Sequence, residues 1–279
     1  MGSSTEETLE RLYQLIGWVE DLSSPEGRRR FDRYLRLLPD LLAHPWIAAL
    51  LQRELRIADV CAGTGLGGIA LAKLLAVRGL RCRLTLVDLR SSALDKAKQF
   101  AAQEIPGVEV ETLKHDVARL HELNRCFDLV LMFGASAAHF NPWQFLGVLT
   151  AIAYCLSDDG VLVLEEPDRR YTIAVRGYRI VMPEKGTDFG ISVHRGYDFR
   201  RGTFIRAYVD LLNPSQRVVY PICFWGVAEL AAFCWCFFHN VDLLPCNRSN
   251  TFFVIAQSPR RLLTPELFAE LPRAVRSEQ

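Results

Sequence analysis

From residue 57 onward the chain alternates short apolar runs with helical stretches, the pattern of βαβ units wound about a parallel sheet. Runs at 57–61, 84–89, 108–113, 129–133 and 161–165 read as five strands with crossovers between them. Two helix starts are visible: Ser92 with Asp95 has the spacing of a capping box, and Asn141 followed by Pro142 gives a cap and a first-turn proline. The runs at 241–244 and 252–256 are expected to pair as an antiparallel edge. The fold expected is therefore α/β, a Rossmann-like doubly wound, mostly parallel sheet with an antiparallel final strand.

The flanking segments follow other rules. Over 6–20, Leu9, Leu12, Tyr13, Ile16 and Val19 share one helical face. Ser24 and Pro25 then cap a second helix, whose stripe is Phe31, Tyr34, Leu35 and Leu38. Residues 1–54 thus read as an N-terminal helical cap, 55–262 as the main domain and 263–279 as a tail. After Pro167 the alternation stops, and GTFIRAYVDLLNPSQRVVY gives two β-like runs with a turn at 213–216, an inserted substrate-cap hairpin within 168–222. The apolar stretch 222–238 contains Glu229 and falls short of the roughly 20 residues of a membrane span, so it reads as a buried helix.

Charge is nearly balanced, with Lys+Arg 33 against Asp+Glu 32, so no global field favours a polyanion and a nucleic-acid partner is unsupported. The basic spots at 28–30, 169–170 and 200–201 read as solvated faces. Eight cysteines are scattered through apolar runs without a CxxC pair, the pattern of free buried thiols, and no metal site is expected. The first residues carry neither a secretory nor a myristoylation pattern, from which a cytoplasmic location is expected.

The first strand runs into DVCAGTGLGG at 59–68, where a doubly wound sheet binds its ligand. Gly63, Gly65 and Gly67 permit close backbone approach, while Gly63, Gly65 and Gly68 also satisfy GxGxxG, which leaves an NAD(P)-dependent oxidoreductase as an alternative. Asp59 argues the other way. A carboxylate beside the loop repels a pyrophosphate and favours a cationic sulfonium cofactor with a free amino group. Asp88 ends the second strand, where an acid accepts hydrogen bonds from ribose hydroxyls. Asp116, after the third, can accept from an adenine amino group, with Leu89 and Val117 sandwiching the ring.

In order and spacing, IADVCAGTGLGG, LTLVDL, LKHDV and FDLVLMFG resemble the first four motifs of class I S-adenosylmethionine-dependent methyltransferases. The one departure is Cys61, which stands at the first of the family's three loop glycines. The resemblance implies S-adenosylmethionine as cofactor, held by the loop residues Cys61, Ala62, Gly63, Thr64 and Gly65. It puts Asp59 near the methionine moiety, Asp88 on the ribose, Leu89, Asp116 and Val117 at adenine, and Phe133 and Gly134 beside the cofactor.

Methyl transfer is an in-line displacement in which alignment supplies much of the acceleration, about 7–11 kcal/mol in favourable cases. A base is needed only for some acceptors, and His139 on the loop after the fourth strand, near Ser136, is the candidate. Of Glu165 and Glu166, adjacent on a strand, at most one looks inward. Tyr171, Tyr178, His194 and Tyr197 are candidates for a pocket lid. The family's (Asp/Asn)-Pro-Pro-(Tyr/Phe) motif is absent and no Pro-Cys pair occupies the fourth-strand loop, which argues against adenine or glutamine N-methylation and a cysteine-nucleophile RNA mechanism. A small-molecule acceptor, with lipophilic ones in range, is the expectation. A non-catalytic, partner-binding module presenting the aromatic helix at 225–238 is the other alternative.

Overall fold

The computed structural model describes residues 5–16, 21–185, 188–246 and 250–276. Three helices come first: α1 (Thr5–Leu15), α2 (Pro25–Leu42) and α3 (Pro45–Leu50). Ser24 caps α2, accepting from Gly27 N at 3.1 Å, as the sequence suggests; Val19 lies outside the described residues. The βαβ body follows as β1 (Leu55–Val60), α4 (Leu66–Val77), β2 (Cys82–Asp88), α5 (Ser91–Glu104), β3 (Glu109–Lys114), β4 (Phe127–Met132), α6 (Pro142–Cys155) and β5 (Leu156–Pro167). Asn141 caps α6 in a full capping box with Gln144. At α5 the cap differs from expectation: Arg90 is the N-cap residue, and Ser92 Oγ donates instead to Glu10 of α1 at 2.6 Å.

After β5 come α7 (Arg169–Arg176), β6 (Val181–Pro183), β7 (Gly190–Asp198), β8 (Thr203–Asp210) and β9 (Arg217–Ile222), then α8 (Val227–Phe237), β10 (Phe238–Pro245) and β11 (Thr251–Pro259). The main sheet runs β10-β11-β5-β4-β1-β2-β3. Strands β1 to β5 pair in parallel, and β11 lies antiparallel to both β5 and β10. The expected hairpin is present as β8 and β9, but within a four-stranded antiparallel sheet in the order β6-β7-β8-β9. The polar residues before it, which have no clean alternation, form the other two strands because β8 offers a free edge to β7, and β7 in turn to β6. Among the described residues, no helix is long and apolar enough to cross a membrane.

Strand periodicity splits the core in two. Leu129 and Leu131 of β4 and Val161 and Val163 of β5 face α2, α4 and α5. Their neighbours Val130, Met132, Leu162 and Leu164 face α6 and α8. Each strand is apolar on both faces, as a sheet covered by helices requires, and each fully buried Leu or Val contributes roughly 1.5–3 kcal/mol. The same parity decides the carboxylates: Asp59 and Glu165 share the α2 side, and Glu166 the other.

The turn from β1 into α4 is built by glycine. Gly65, the residue before α4, has φ 75°. A Cβ on Gly68 would lie 2.7 Å from Asp59 Oδ2, and the bare Gly68 lets its N–H donate to that oxygen at 2.9 Å. Gly68→Ala should therefore force Asp59 away and destabilise the fold by about 1–3 kcal/mol, read as a fall in urea midpoint at unchanged m-value; an unchanged midpoint would contradict the close packing.

Candidate active site

The sheet reverses its strand order between β1 and β4, and a ligand crevice belongs outside the carboxyl ends of these strands. A cleft of about 640 Å³ opens there. Its floor is the β1–α4 turn with Asp59, Cys61, Ala62, Gly63 and Thr64, and its wall is Phe133 and Gly134 after β4. The sequence thus brings together seven of its expected site residues. Gly65, Asp88, Leu89, Asp116, Val117 and His139 lie outside this volume.

Asp59 is 2 % exposed. Burial pushes its carboxyl up to about 7, the Gly68 N–H opposes that, and the charge of Asp88 adds to it. Among the described residues no cation pairs with it. Cys61 has φ 52°, a left-handed conformation that costs a non-glycine residue about 1–2 kcal/mol, and it marks where the loop bends hardest. Burial raises its thiol well above the ordinary range, so it is no nucleophile.

Asp88 holds the loop from the neighbouring strand. Its Oδ2 accepts from Gly63 N at 2.7 Å, its Oδ1 from Arg90 N at 2.8 Å. Asp116 caps the 3-10 turn Val117–Leu123, accepting from Ala118 N at 2.9 Å. Over this side of the rim lies α1, which sequence reasoning treated only as part of a cap. The Arg90 guanidinium stacks 3.8 Å over the Tyr13 ring, and Lys114 at the end of β3 pairs with Glu6 at 2.6 Å. On its other face α1 packs Leu12 and Leu15 against Tyr208 and Val218 of the inserted sheet.

His139 sits in a chain of rings, with Tyr13 Oη 3.0 Å from Nε2 and Tyr220 Oη 3.1 Å from Nδ1. Burial, helped by Arg169 and Arg90, lowers it to about 4. It is a neutral imidazole at physiological pH, one nitrogen donating and the other accepting, outside the cleft. Tyr178 and His194, expected in a lid, bond each other at 2.9 Å and pack with tilted rings against Phe204. They build the interior of the inserted sheet and do not border the cleft. Tyr171 and Tyr197, exposed, also lie off it.

The group facing the cleft from β5 is Glu165, which accepts from Gly134 N at 3.0 Å, Arg33 Nη2 at 3.1 Å and the Tyr34 hydroxyl. Burial and this carboxylate push the Tyr34 phenol well above its ordinary range, and its ring stacks on Phe133 at 5.7 Å and 6°. Glu166 points to the opposite face, bonded by Arg169 Nε at 3.2 Å and raised to about 7 by burial. Tyr13, Arg33 and Tyr34 are among the cleft residues that sequence reasoning missed. Their signal was present only as positions on amphipathic helices, which say that a face is buried but not against what.

Residues 57–160 match the sequence model of the methyltransferase-domain family. No curated protein sequence matches the chain. Among solved structures, the PH0226 protein from Pyrococcus horikoshii OT3 is similar at 19% identity and a TM-score of 0.61, over 89% of this chain and 98% of that one. An S-adenosylmethionine-dependent methyltransferase from Clostridium acetobutylicum ATCC 824 is similar at 12% identity and a TM-score of 0.57, over 91% and 99%. The N-methyltransferase NodS from Bradyrhizobium japonicum WM9, solved with S-adenosyl-L-homocysteine, is similar at 14% identity and a TM-score of 0.53, over 91% and 100%. At these identities the likenesses speak for the shared fold. The domain match takes in the β1–α4 turn, so residues 57–160 resemble a methyltransferase domain and the chain as a whole shares the fold of these structures.

Proposed function

We propose that the chain transfers a methyl group in line from S-adenosylmethionine to a small-molecule acceptor held in the cleft between α2 and the β1–α4 turn. The observation that carries this reading is Asp59, a buried carboxylate on the cleft floor without a cationic partner among the described residues. The amino group of the cofactor is the counter-charge that such a carboxylate lacks. When bound, S-adenosylmethionine supplies an electrophilic methyl on its sulfonium.

The chain's own residues then bind and orient. Asp88, which holds Gly63 N and Arg90 N from the end of β2, is the carboxylate for the ribose hydroxyls. Asp116, with Leu89 and Val117 for the apolar faces of the ring, is the adenine end of the site. Cys61, Ala62, Gly63, Thr64 and Gly65 bring the loop backbone against the cofactor, and Phe133 and Gly134 line the path to the acceptor. Tyr13 closes the ribose side through its stack on Arg90, and His139, bonded to it, orients that ring and proton-links it to Tyr220. With both ring nitrogens engaged, His139 acts as a positioning residue. The acceptor loses its proton to solvent or is nucleophilic without losing one. The domain division is proposed in the same terms: 1–54 and 168–222 cap a cofactor-binding body at 55–262, with 263–279 as a tail.

Calorimetry should show S-adenosylhomocysteine binding to the wild-type chain, weakened at least about tenfold in Asp88→Ala by the loss of charge-assisted hydrogen bonds; absence of binding to the wild type would remove the reading. A second outcome follows from Asp59. A cationic amino group binds its ionised form, so the carboxyl that titrates near 7 in the free protein must lose its proton on binding. Affinity for S-adenosylhomocysteine should level off above about pH 7 and fall by up to about tenfold per pH unit below it. Asp59→Asn should flatten that slope, and a pH-independent wild type would refute the assignment of Asp59 to the amino group.

A further inference from the structure

The polar face of α2 carries Glu26, Arg29, Arg30, Arg33 and Arg36, spaced at three and four residues so that they form one stripe. By sequence this is a solvated face, but all five side chains border the cleft, and Lys185 of the inserted region borders it as well. The carboxylates of Glu26 and Glu165 pair with three of these five cations, and Asp59 is the third acid of the cleft. Glu26 is shared by Arg29 and by Arg30, the latter at 3.3 Å, and Glu165 takes Arg33 at 3.1 Å. Arg36 and Lys185 form no ion pair among the described residues. Like charges gathered along one wall repel each other, and an anion between them relieves that repulsion while gaining charge-assisted hydrogen bonds. The carboxylate of the cofactor accounts for one cation, and Arg33, tied to Glu165 at 3.1 Å, is set apart from the others by that bond.

We infer that the methyl acceptor is an acid, a small molecule whose carboxylate, phosphate or sulfate group is held in the cleft by Arg29, Arg30 and Arg36 of α2 together with Lys185. This rests on the methyl-transfer reading and deepens it. The guanidinium fork suits a planar or tetrahedral oxyanion better than a point charge would. Tyr34 and Phe133, stacked below the stripe, give an apolar surface for the body of such a molecule between its anionic end and the methyl donor. Near-neutral overall charge conceals the site, because the acids that balance it lie elsewhere on the surface.

Phenyl phosphate, benzoate and the neutral benzamide serve as probes, titrated into the full chain with and without saturating S-adenosylhomocysteine. Phenyl phosphate or benzoate should bind the cofactor-loaded protein, weaken with added salt, and weaken at least about tenfold in the double variant Arg29→Gln, Arg36→Gln. Both arginines are exposed, so the variant should fold and keep its affinity for S-adenosylhomocysteine within about twofold, the scatter of an exposed substitution. Glu26→Gln should act in the opposite direction and tighten anion binding, because it removes a carboxylate that competes for Arg29 and Arg30. Benzamide binding as tightly as the acids, an unchanged double variant, or no anion binding would overturn the inference. Anion binding seen only without S-adenosylhomocysteine would also overturn it, by assigning the arginines to the cofactor. If S-adenosylhomocysteine fails to bind while the anion still does so through Arg29 and Arg36, the anion site stands and the methyl-transfer reading falls.

Discussion

One buried carboxylate joins the helical cap to the sheet. Glu165 ends β5 and receives a backbone N–H from the β4 loop, a guanidinium and a phenol from α2. A carboxylate taken out of water at this depth is tolerated only when such partners surround it, and removing one partner of a buried pair costs about 3–5 kcal/mol. The consequence is geometric. With Arg33 and Tyr34 fixed on Glu165, the stripe of α2 on either side of them is fixed too, and the cleft has a second wall at a set distance from the β1–α4 turn. The apolar side of α2, through Phe31, Leu38 and Leu41, packs into the same core as α4, so the two anchors agree on where the helix lies.

Asp59 is the opposite case. It sits on the same side of the sheet and is buried to a similar degree, yet receives a single backbone N–H and no cation among the described residues. Two strand-end acids in one cleft thus differ in what they lack: Glu165 is satisfied by the protein, and Asp59 is held at the edge of ionisation near pH 7. An arrangement that leaves a buried group under-compensated stores a preference for whatever supplies the missing charge, and that preference distinguishes a cationic nucleoside cofactor from a pyrophosphate, which the GxGxxG spacing alone does not.

The parts legible in the sequence are those determined locally. Alternating apolar runs gave the parallel strands within a few residues, because period two with both faces buried depends only on the strand itself, and the turn at 59–68 was legible because glycine and a strand-end acid have direct conformational and electrostatic meaning. Asn141 with Pro142 and Ser24 with Pro25 named their helices for the same reason. Illegible parts depended on what came to lie opposite. Ser92 looked like a cap until Glu10 of a distant helix took its hydroxyl. Strands β6 and β7 had no readable pattern because β7 is templated by β8 and β6 in turn by β7. His139 was read as a candidate base on the loop after the fourth strand, whereas Tyr13 and Tyr220, neither near it in sequence, take both its ring nitrogens.

Charge shows the same limit most plainly. A formal net charge of +1 says that long-range steering of a polyanion is weak, and that conclusion holds at distances beyond the Debye length of about 8 Å. Inside a cleft the relevant sum runs over side chains within that length. There α2 sets four arginines on one face at helical spacing, and the inserted region adds Lys185. The helix would present this stripe to water if it stood alone. It becomes a site wall only because its apolar face is committed to the core and its Arg33 to Glu165, leaving the remaining cations to line a concave space in which a small anion meets several of them at once.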